Sequence, residues 1–292
     1  MPEKDWKGNT QGTTTMHRML IGSFRFLPLQ FVYLGAEIFV VPFYLLFAHK
    51  GYISMYHYFR HIWKESWWKA FWHTYRNHCY FSQVVLDRFY MFAGGKLDVE
   101  VSDYDTYLKL ENGESGFVIL SAHVGCYEAA GYTLTSRRKT FNALVYAGES
   151  ETVMENRAKI FAEHNIKMIP IRKDMSHLFA MSNALRDGGV VSIPGDRIFG
   201  SPKHVECEFL GQKADFPLGP FAVAAQREVP VIAVNVMKVK PKKYKVFIKE
   251  IHAEGATIRD RANNLACQYA ANLESVIRKF PLQWYNYFEF WK

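Results

Sequence analysis

The sequence predicts an α/β protein. A mixed, largely parallel sheet is flanked by helices, and an aromatic-rich helical region ahead of it anchors the chain to a membrane. Three observations predict this. From residue 97 onward, short apolar runs of strand length alternate with longer amphipathic stretches, the pattern of successive βα units. A 23-residue, largely apolar stretch, Phe26 to Ala48, precedes them. Aromatic residues make up 16% of the chain, and many fall in its first third, as at a membrane interface. With 292 residues and 49% hydrophobic content, the chain can bury one large domain or a domain plus a helical extension.

Residues 1–15 are polar and read as a loose tail. The Phe26–Ala48 stretch follows Arg18 and Arg25 and ends at His49-Lys50. At about 1.5 Å rise per residue it is long enough to cross a hydrocarbon core. Gln30 and Glu37 interrupt it, and Pro28 and Pro42 bracket it. A central glutamate in an inserted helix costs a few kcal/mol unless paired, so an embedded or interfacial anchor is expected rather than a clean span. No small-residue cleavage site follows, as a signal peptide requires. Residues 52–93 read as amphipathic helices ended by Gly94-Gly95. His57 and His61 have i,i+4 spacing but no third ligand at a sensible distance, so they line a helical face and no metal is expected. The organisation expected is residues 1–94 as tail, anchor and amphipathic helices, and residues 95–292 as the α/β domain.

In that domain the expected strands are Leu97–Val101, Phe117–Ser121, Phe141–Tyr146, Lys167–Ile171, Val190–Ile193, Val231–Val236 and Lys245–Ile251. The expected helices are Tyr104–Leu110, Tyr127–Leu134, Thr152–His164, Met175–Asp187, Gly219–Gln226 and Ala256–Lys279. Gly211, Pro217, Gly219 and Pro220 read as a loop before a small-residue helix.

The net charge of +8 suits an anionic membrane surface or an acidic carrier protein. Nucleic acid is not expected, because there is no basic arm and no recognisable binding motif. The densest basic run, Lys238 to Lys245, reads as a solvated hairpin tip or a contact for headgroups or a carrier protein. Cys79, Cys126, Cys207 and Cys267 have no C-x-x-C spacing, which fits a reducing compartment and excludes zinc and redox motifs of that type.

The most informative segment is Leu120-Ser-Ala-His-Val-Gly-Cys-Tyr-Glu128. It follows a buried strand, turns at Gly125 and opens a helix. An offset of five residues does not stack two side chains on one helix face. His123 is therefore expected on the turn and Glu128 in the first helical turn, aimed back at it. A histidine oriented by a carboxylate is a general base. By itself such a pair is more often a surface or core pair with no catalysis. The chain has no G-x-S-x-G elbow, so the substrate must bring its own hydroxyl or amine. Cys126 reads as a small apolar filler. His123 and Asp196-Arg197 each follow a predicted strand, and ligand sites in such sheets lie beyond the strands' carboxyl ends.

The His123-x4-Glu128 block resembles the first block of the lysophospholipid acyltransferase superfamily, in the branch of the lipid A late acyltransferases. Val190 to Arg197, Phe209 to Ala225, Glu228 to Val234 and Pro281 to Tyr287 resemble later blocks of that branch, in the same order. The resemblance covers about residues 20 to 290. Two places depart from it: the lipid A enzymes usually carry Asp-Gln at Asp196-Arg197 and Asn-Trp at Cys126-Tyr127, which leaves the acceptor open. The resemblance implies acyl transfer from a thioester, on acyl carrier protein or coenzyme A, to a membrane lipid acceptor. It implies no cofactor beyond that acyl thioester co-substrate, and a place at the cytoplasmic face of the bacterial inner membrane. His123 is then the base and Glu128 its orienting partner, with backbone N–H groups after Gly125 as oxyanion donors. Arg197 is the candidate for a lipid or carrier phosphate, and Asp196 holds that arginine or the acceptor. Arg157 and Arg172 are further phosphate candidates. Two alternatives stay open. Asp103-Tyr-Asp105 matches the short D-x-D of glycosyltransferases that hold a divalent metal. A non-catalytic membrane scaffold for a carrier protein also fits the basic, aromatic composition.

Overall fold

The computed structural model describes residues 13–47, 49–126, 129, 133–134, 136, 138–146, 151–163, 165–172, 174, 176–198 and 202–291. Helix α1 (Thr14–Ser23) is capped by the Thr13 hydroxyl, which accepts from the Met16 N–H at 3.2 Å. An apolar helical run follows from Leu29 to Phe47, comprising α2 (Leu29–Gly35), a π-helical segment (Ala36–Val40) and α3 (Val41–Phe47). The sequence places Pro42 at the edge of this stretch, but the helix continues through it. Proline lacks an N–H and crowds the carbonyl four residues earlier, and the widened segment just before Pro42 absorbs that defect. The run is 19 residues long and apolar enough to cross a membrane by length and composition. Phe31, Phe39, Phe43, Leu46 and Phe47 all point outward from it. Glu37 is paired: its Oε1 accepts from Gln83 Nε2 at 2.6 Å.

Helix α4 (His49–His57) and a second π-helical segment (Tyr58–Ile62) lead into α5 (Trp67–Phe92), which begins at the Ser66 cap. It ends before Gly94, whose φ of +83° suits glycine. Trp67, Trp68 and Trp72 on its first two turns are exposed.

The sheet is built from β1 (Asp98–Val101), β2 (Phe117–Ser121), β3 (Phe141–Tyr146), β4 (Ile166–Ile171), β5 (Val190–Pro194), β8 (Val231–Lys240) and β9 (Lys243–Ile251). Their order is β1-β9-β8-β2-β5-β3-β4, and every neighbouring pair is parallel except β8 with β9. Helices α6 (Tyr104–Asn112), α7 (Glu151–Glu163), α8 (Ser176–Arg186), α9 (Leu218–Arg227) and α10 (Ile258–Lys279) flank it. Alternation along β2 divides the core. Phe117 and Ile119 pack with Tyr107 of α6 and Phe161 of α7. Val118 and Leu120 pack with Met181 of α8, Phe221 of α9 and Leu273 of α10. The second cluster also takes in Met55, Tyr58, Phe59 and Ala70, so the helices before residue 94 share the core of the sheet.

The stretch read as a loop before α9 departs from that expectation. It contains an antiparallel hairpin, β6 (His204–Phe209) with β7 (Gln212–Pro217). Its two-residue turn, Leu210-Gly211, has both φ angles positive, +54° and +80°. That is the turn type whose twist matches a tight hairpin. The signal was present: His204-Val-Glu-Cys-Glu-Phe209 alternates exposed and buried residues along the whole strand.

Candidate active site

Parallel register brings the central pair together. In the β2/β5 ladder Ser121 stands opposite Pro194. Two residues further along each chain come His123 and Asp196, side by side at the carboxyl edge. Gly195 N–H donates to Ser121 O at 2.9 Å and closes the strand ends. Asp196 then grips His123 twice. The His123 N–H donates to Oδ2 at 2.8 Å, and ring Nδ1 lies 2.8 Å from Oδ1. A carboxylate only accepts, so Nδ1 carries the proton and Nε2 keeps its lone pair. The Asp196 side chain is 2% exposed and the His123 side chain 18%, so the ring alone reaches solvent.

Burial lowers the His123 pKa below its ordinary 6.5, and the Arg197 cation pushes the same way against the Asp196 charge and hydrogen bond. Burial works to raise the Asp196 carboxyl. The His123 charge, its two hydrogen bonds and the Arg197 cation outweigh that and hold the carboxyl below its ordinary 3.8. The resting state at neutral pH is a neutral imidazole beside a buried carboxylate.

The turn bearing His123 is clasped by the segment after α10 and by β8. Tyr285 N–H donates to His123 O, Gly125 N–H to Gln283 O and Cys126 N–H to Val236 O, at 2.9, 2.9 and 2.8 Å. Gly125 is required there: its φ is +51°, and an added Cβ would lie 1.9 Å from Val236 O. The N–H groups of Gly125 and Cys126 are thereby committed to carbonyls, while Tyr127 and Glu128, at the helix start expected to supply oxyanion donors, lie outside the described residues. The Gln283 side chain bonds both main-chain groups of Lys238, at 2.9 and 2.7 Å, and Asn77 of α5 donates to the Leu282 and Trp284 carbonyls. Arg197 joins the same clasp. Its Nη2 donates to Tyr285 O at 2.8 Å, and its guanidinium lies 5.6 Å from the Phe288 ring centre.

Residues 96–292 match the family described as bacterial lipid A biosynthesis acyltransferase. The chain belongs to that family. It is accordingly an acyltransferase, of a family that acts on lipid. No curated protein matches the chain.

In this lipid A biosynthesis acyltransferase family member, the other expected site residues fall as follows. Glu128 lies outside the described residues. Arg157 is on α7, over the β3–β4 side, buried with Nη1 3.7 Å from Met154 Sδ. Arg172 is exposed just past β4, which stands three strands from β2, about 14 Å at ordinary strand spacing. Neither joins the His123–Asp196 pair. Asp103 and Asp105 are exposed at the end of β1. They follow the edge strand β1, which stands three strands from β2, about 14 Å at ordinary strand spacing, so they do not join the His123–Asp196 pair. Asp103 precedes the first turn of α6 and makes no side-chain cap there. His57 Nδ1 lies 3.2 Å from Glu289 Oε1, beside a cavity of about 150 Å³ also lined by His61. Among the described residues no group of three or more His, Cys, Asp and Glu is placed to hold a metal.

The basic run also departs from its reading. Lys238 is not on the tip. It is 3% exposed, with Nζ bonded to Asp87 of α5 and, at 2.9 Å, to the Tyr33 hydroxyl of α2. Tyr33 and Tyr244 also donate to Asp87. Burial lowers the Lys238 pKa below its ordinary range, with Asp87 pulling the other way. This network ties the apolar helical run to β8 and β9. Sequence reading missed it because the partners come from four separate elements. Lys240, Lys242, Lys243 and Lys245 remain at the true tip, with Lys243 and Lys245 paired to Asp98 and Glu100.

Proposed function

We propose that this enzyme moves a fatty acyl group from an acyl thioester to a hydroxyl or amine of a membrane lipid, with His123 as general base. The observation that carries the reading is the Asp196 grip on Nδ1, which leaves Nε2 as the one ring nitrogen able to accept a proton. Nε2 takes the proton of the acceptor as its oxygen or nitrogen attacks the thioester carbonyl. The tetrahedral oxyanion collapses, and the thiol of the donor departs. The buried Asp196 carboxylate stabilises the imidazolium that forms, and the ring returns its proton to the leaving thiolate. A well-placed base contributes on the order of 100- to 10,000-fold. Glu128, at its sequence spacing from His123, is a second carboxylate for the same charge. Arg197 supplies positive charge at the rim, suited to a developing oxyanion or a substrate phosphate.

The donor is acyl carrier protein or coenzyme A, and the acceptor is a lipid at the cytoplasmic face of the bacterial inner membrane. The hairpin tip of β8 and β9 lies at the same sheet edge as His123, because β8 is parallel to β2. The outward apolar side chains of the Leu29–Phe47 run hold that edge against the bilayer, and the basic tip meets anionic headgroups. Residues 1–94 serve as tail, membrane anchor and amphipathic helices, and residues 95–292 as the acyltransferase domain. The test supplies purified enzyme with acyl carrier protein or coenzyme A thioesters and membrane lipid, and follows thiol release and lipid mass. His123→Ala should abolish transfer with the fold retained. Full turnover by that variant removes His123 as base.

A further inference from the structure

Two thiols that acyl transfer does not use face each other between β6 and α10. Cys207 on β6 and Cys267 on α10 have their sulfurs 3.1 Å apart, within hydrogen-bond reach. They are 60 residues apart in sequence. Cys207 is buried and Cys267 lies at an exposed position, so one partner of the pair is open to a reagent. The elements carrying them are fixed relative to each other. Glu274 of α10 accepts from the Leu210 N–H of the hairpin turn at 2.6 Å, and Phe216 of β7 packs edge-on against Tyr269 of α10, with ring centres 6.0 Å apart. A disulfide needs about 2.0 Å between sulfurs, so the two lie within about 1 Å of bonding distance.

We propose that Cys207 and Cys267 form a redox-responsive dithiol that closes to a disulfide when it meets a small-molecule disulfide. The Cys267 thiolate attacks one sulfur of the reagent. A mixed disulfide forms and one small thiolate leaves. The Cys207 sulfur, deprotonated as it reacts, then attacks the Cys267 sulfur. The mixed S–S bond breaks, the protein S–S bond forms, and the second small thiolate departs. Two protein thiols are oxidised and one reagent disulfide is reduced to two thiols. The order follows from access, and from burial raising the Cys207 thiol above its ordinary range, with the Cys267 contact adding to it. The bond staples the β6–β7 hairpin, which follows Asp196-Arg197 in the chain, to α10. Closing so long a loop restricts the unfolded chain, so the oxidised form is the more stable one. In a reducing compartment such a bond is transient and reports redox state.

The test incubates the purified full-length protein with oxidised glutathione under native conditions, then alkylates remaining thiols and maps peptides by mass. Two of the four thiols should disappear, with the Cys207 and Cys267 peptides cross-linked. The melting temperature should rise by several degrees and fall back with dithiothreitol. Cys267→Ser alters an exposed position and should fold normally, yet show no melting shift on oxidation. A glutathione adduct that persists on Cys267, a cross-link involving Cys79 or Cys126, or an unchanged thiol count would each overturn the proposal. None of these readouts depends on acyl transfer.

Discussion

Replacing Asp196 with Asn changes the proton that His123 holds while leaving its position nearly intact. The Asn carbonyl oxygen can still accept from the His123 main-chain N–H, now 2.8 Å from Oδ2. The Asn amide then faces ring Nδ1, which is 2.8 Å from Oδ1 in the native pair. An amide donates, so Nδ1 must become the acceptor and the ring proton moves to Nε2. The nitrogen meant to accept the substrate proton arrives already protonated. A serine protease with the same substitution of its orienting aspartate loses about 10⁴ in kcat for this reason, and a general base as such contributes about 10² to 10⁴. A loss of 10³- to 10⁴-fold, about 4–5 kcal/mol of transition-state stabilisation, is the expected outcome. Stability should change by no more than about 2 kcal/mol. The carboxylate's two charge-assisted bonds weaken, but a group only 2% exposed no longer has to be held ionised out of water. The assay is thiol release from an acyl thioester with lipid acceptor, run beside thermal unfolding and beside Glu128→Gln. An Asp196→Asn enzyme within tenfold of the native rate, with Glu128→Gln inactive, would falsify the assignment of Asp196 as the orienting carboxylate.

Because burial and then Arg197 lower the His123 pKa, the acid limb of kcat/KM should lie below pH 6.5. His123's contribution to stability has the same sign: as pH falls through 6.5 the unfolded chain takes the proton first, so stability drops there. Arg197→Met removes one of the two downward influences, so the acid limb should move to higher pH; an unmoved limb refutes the electrostatic link. Lys238→Met leaves the Asp87 carboxylate, at 0% exposure, without its cation and should cost about 3–5 kcal/mol in denaturant unfolding. The double variant Asp87→Leu with Lys238→Met should recover part of that loss, and strict additivity would show that the pair is not coupled. Phe39, 74% exposed, and Phe43, 63% exposed, lie on the outward face of the apolar run. Intact protein should therefore stay on anionic vesicles in 1 M salt, where the Debye length is about 3 Å. The Phe39→Asp with Phe43→Asp variant should be stripped by salt, and retention of that variant means that the apolar face is not the attachment.

The β2 and β5 runs are legible in sequence because their apolar residues are continuous, as in strands buried on both faces, and both begin where the sequence places them. That His123 and Asp196-Arg197 each follow such a strand is likewise a property of the sequence, as is the apolar length from Leu29 to Phe47. Sequence spacing offered Glu128 as the partner of His123, because five residues are near and 73 are far. Glu128 lies outside the described residues; Asp196 is a partner of His123 that spacing did not offer, since neighbouring parallel strands in register carry their carboxyl ends to one place whatever their separation along the chain. The same holds for Lys238. Among five lysines in an eight-residue run it reads as solvated. Only the packing of α2 and α5 over β8 takes water from its ammonium and supplies Asp87 instead. Local pattern fixes where strands and helices form, because propensity and periodicity are short-range. Charge pairing and proton placement were decided by tertiary contact, because a carboxylate acts through space on whatever the fold sets beside it.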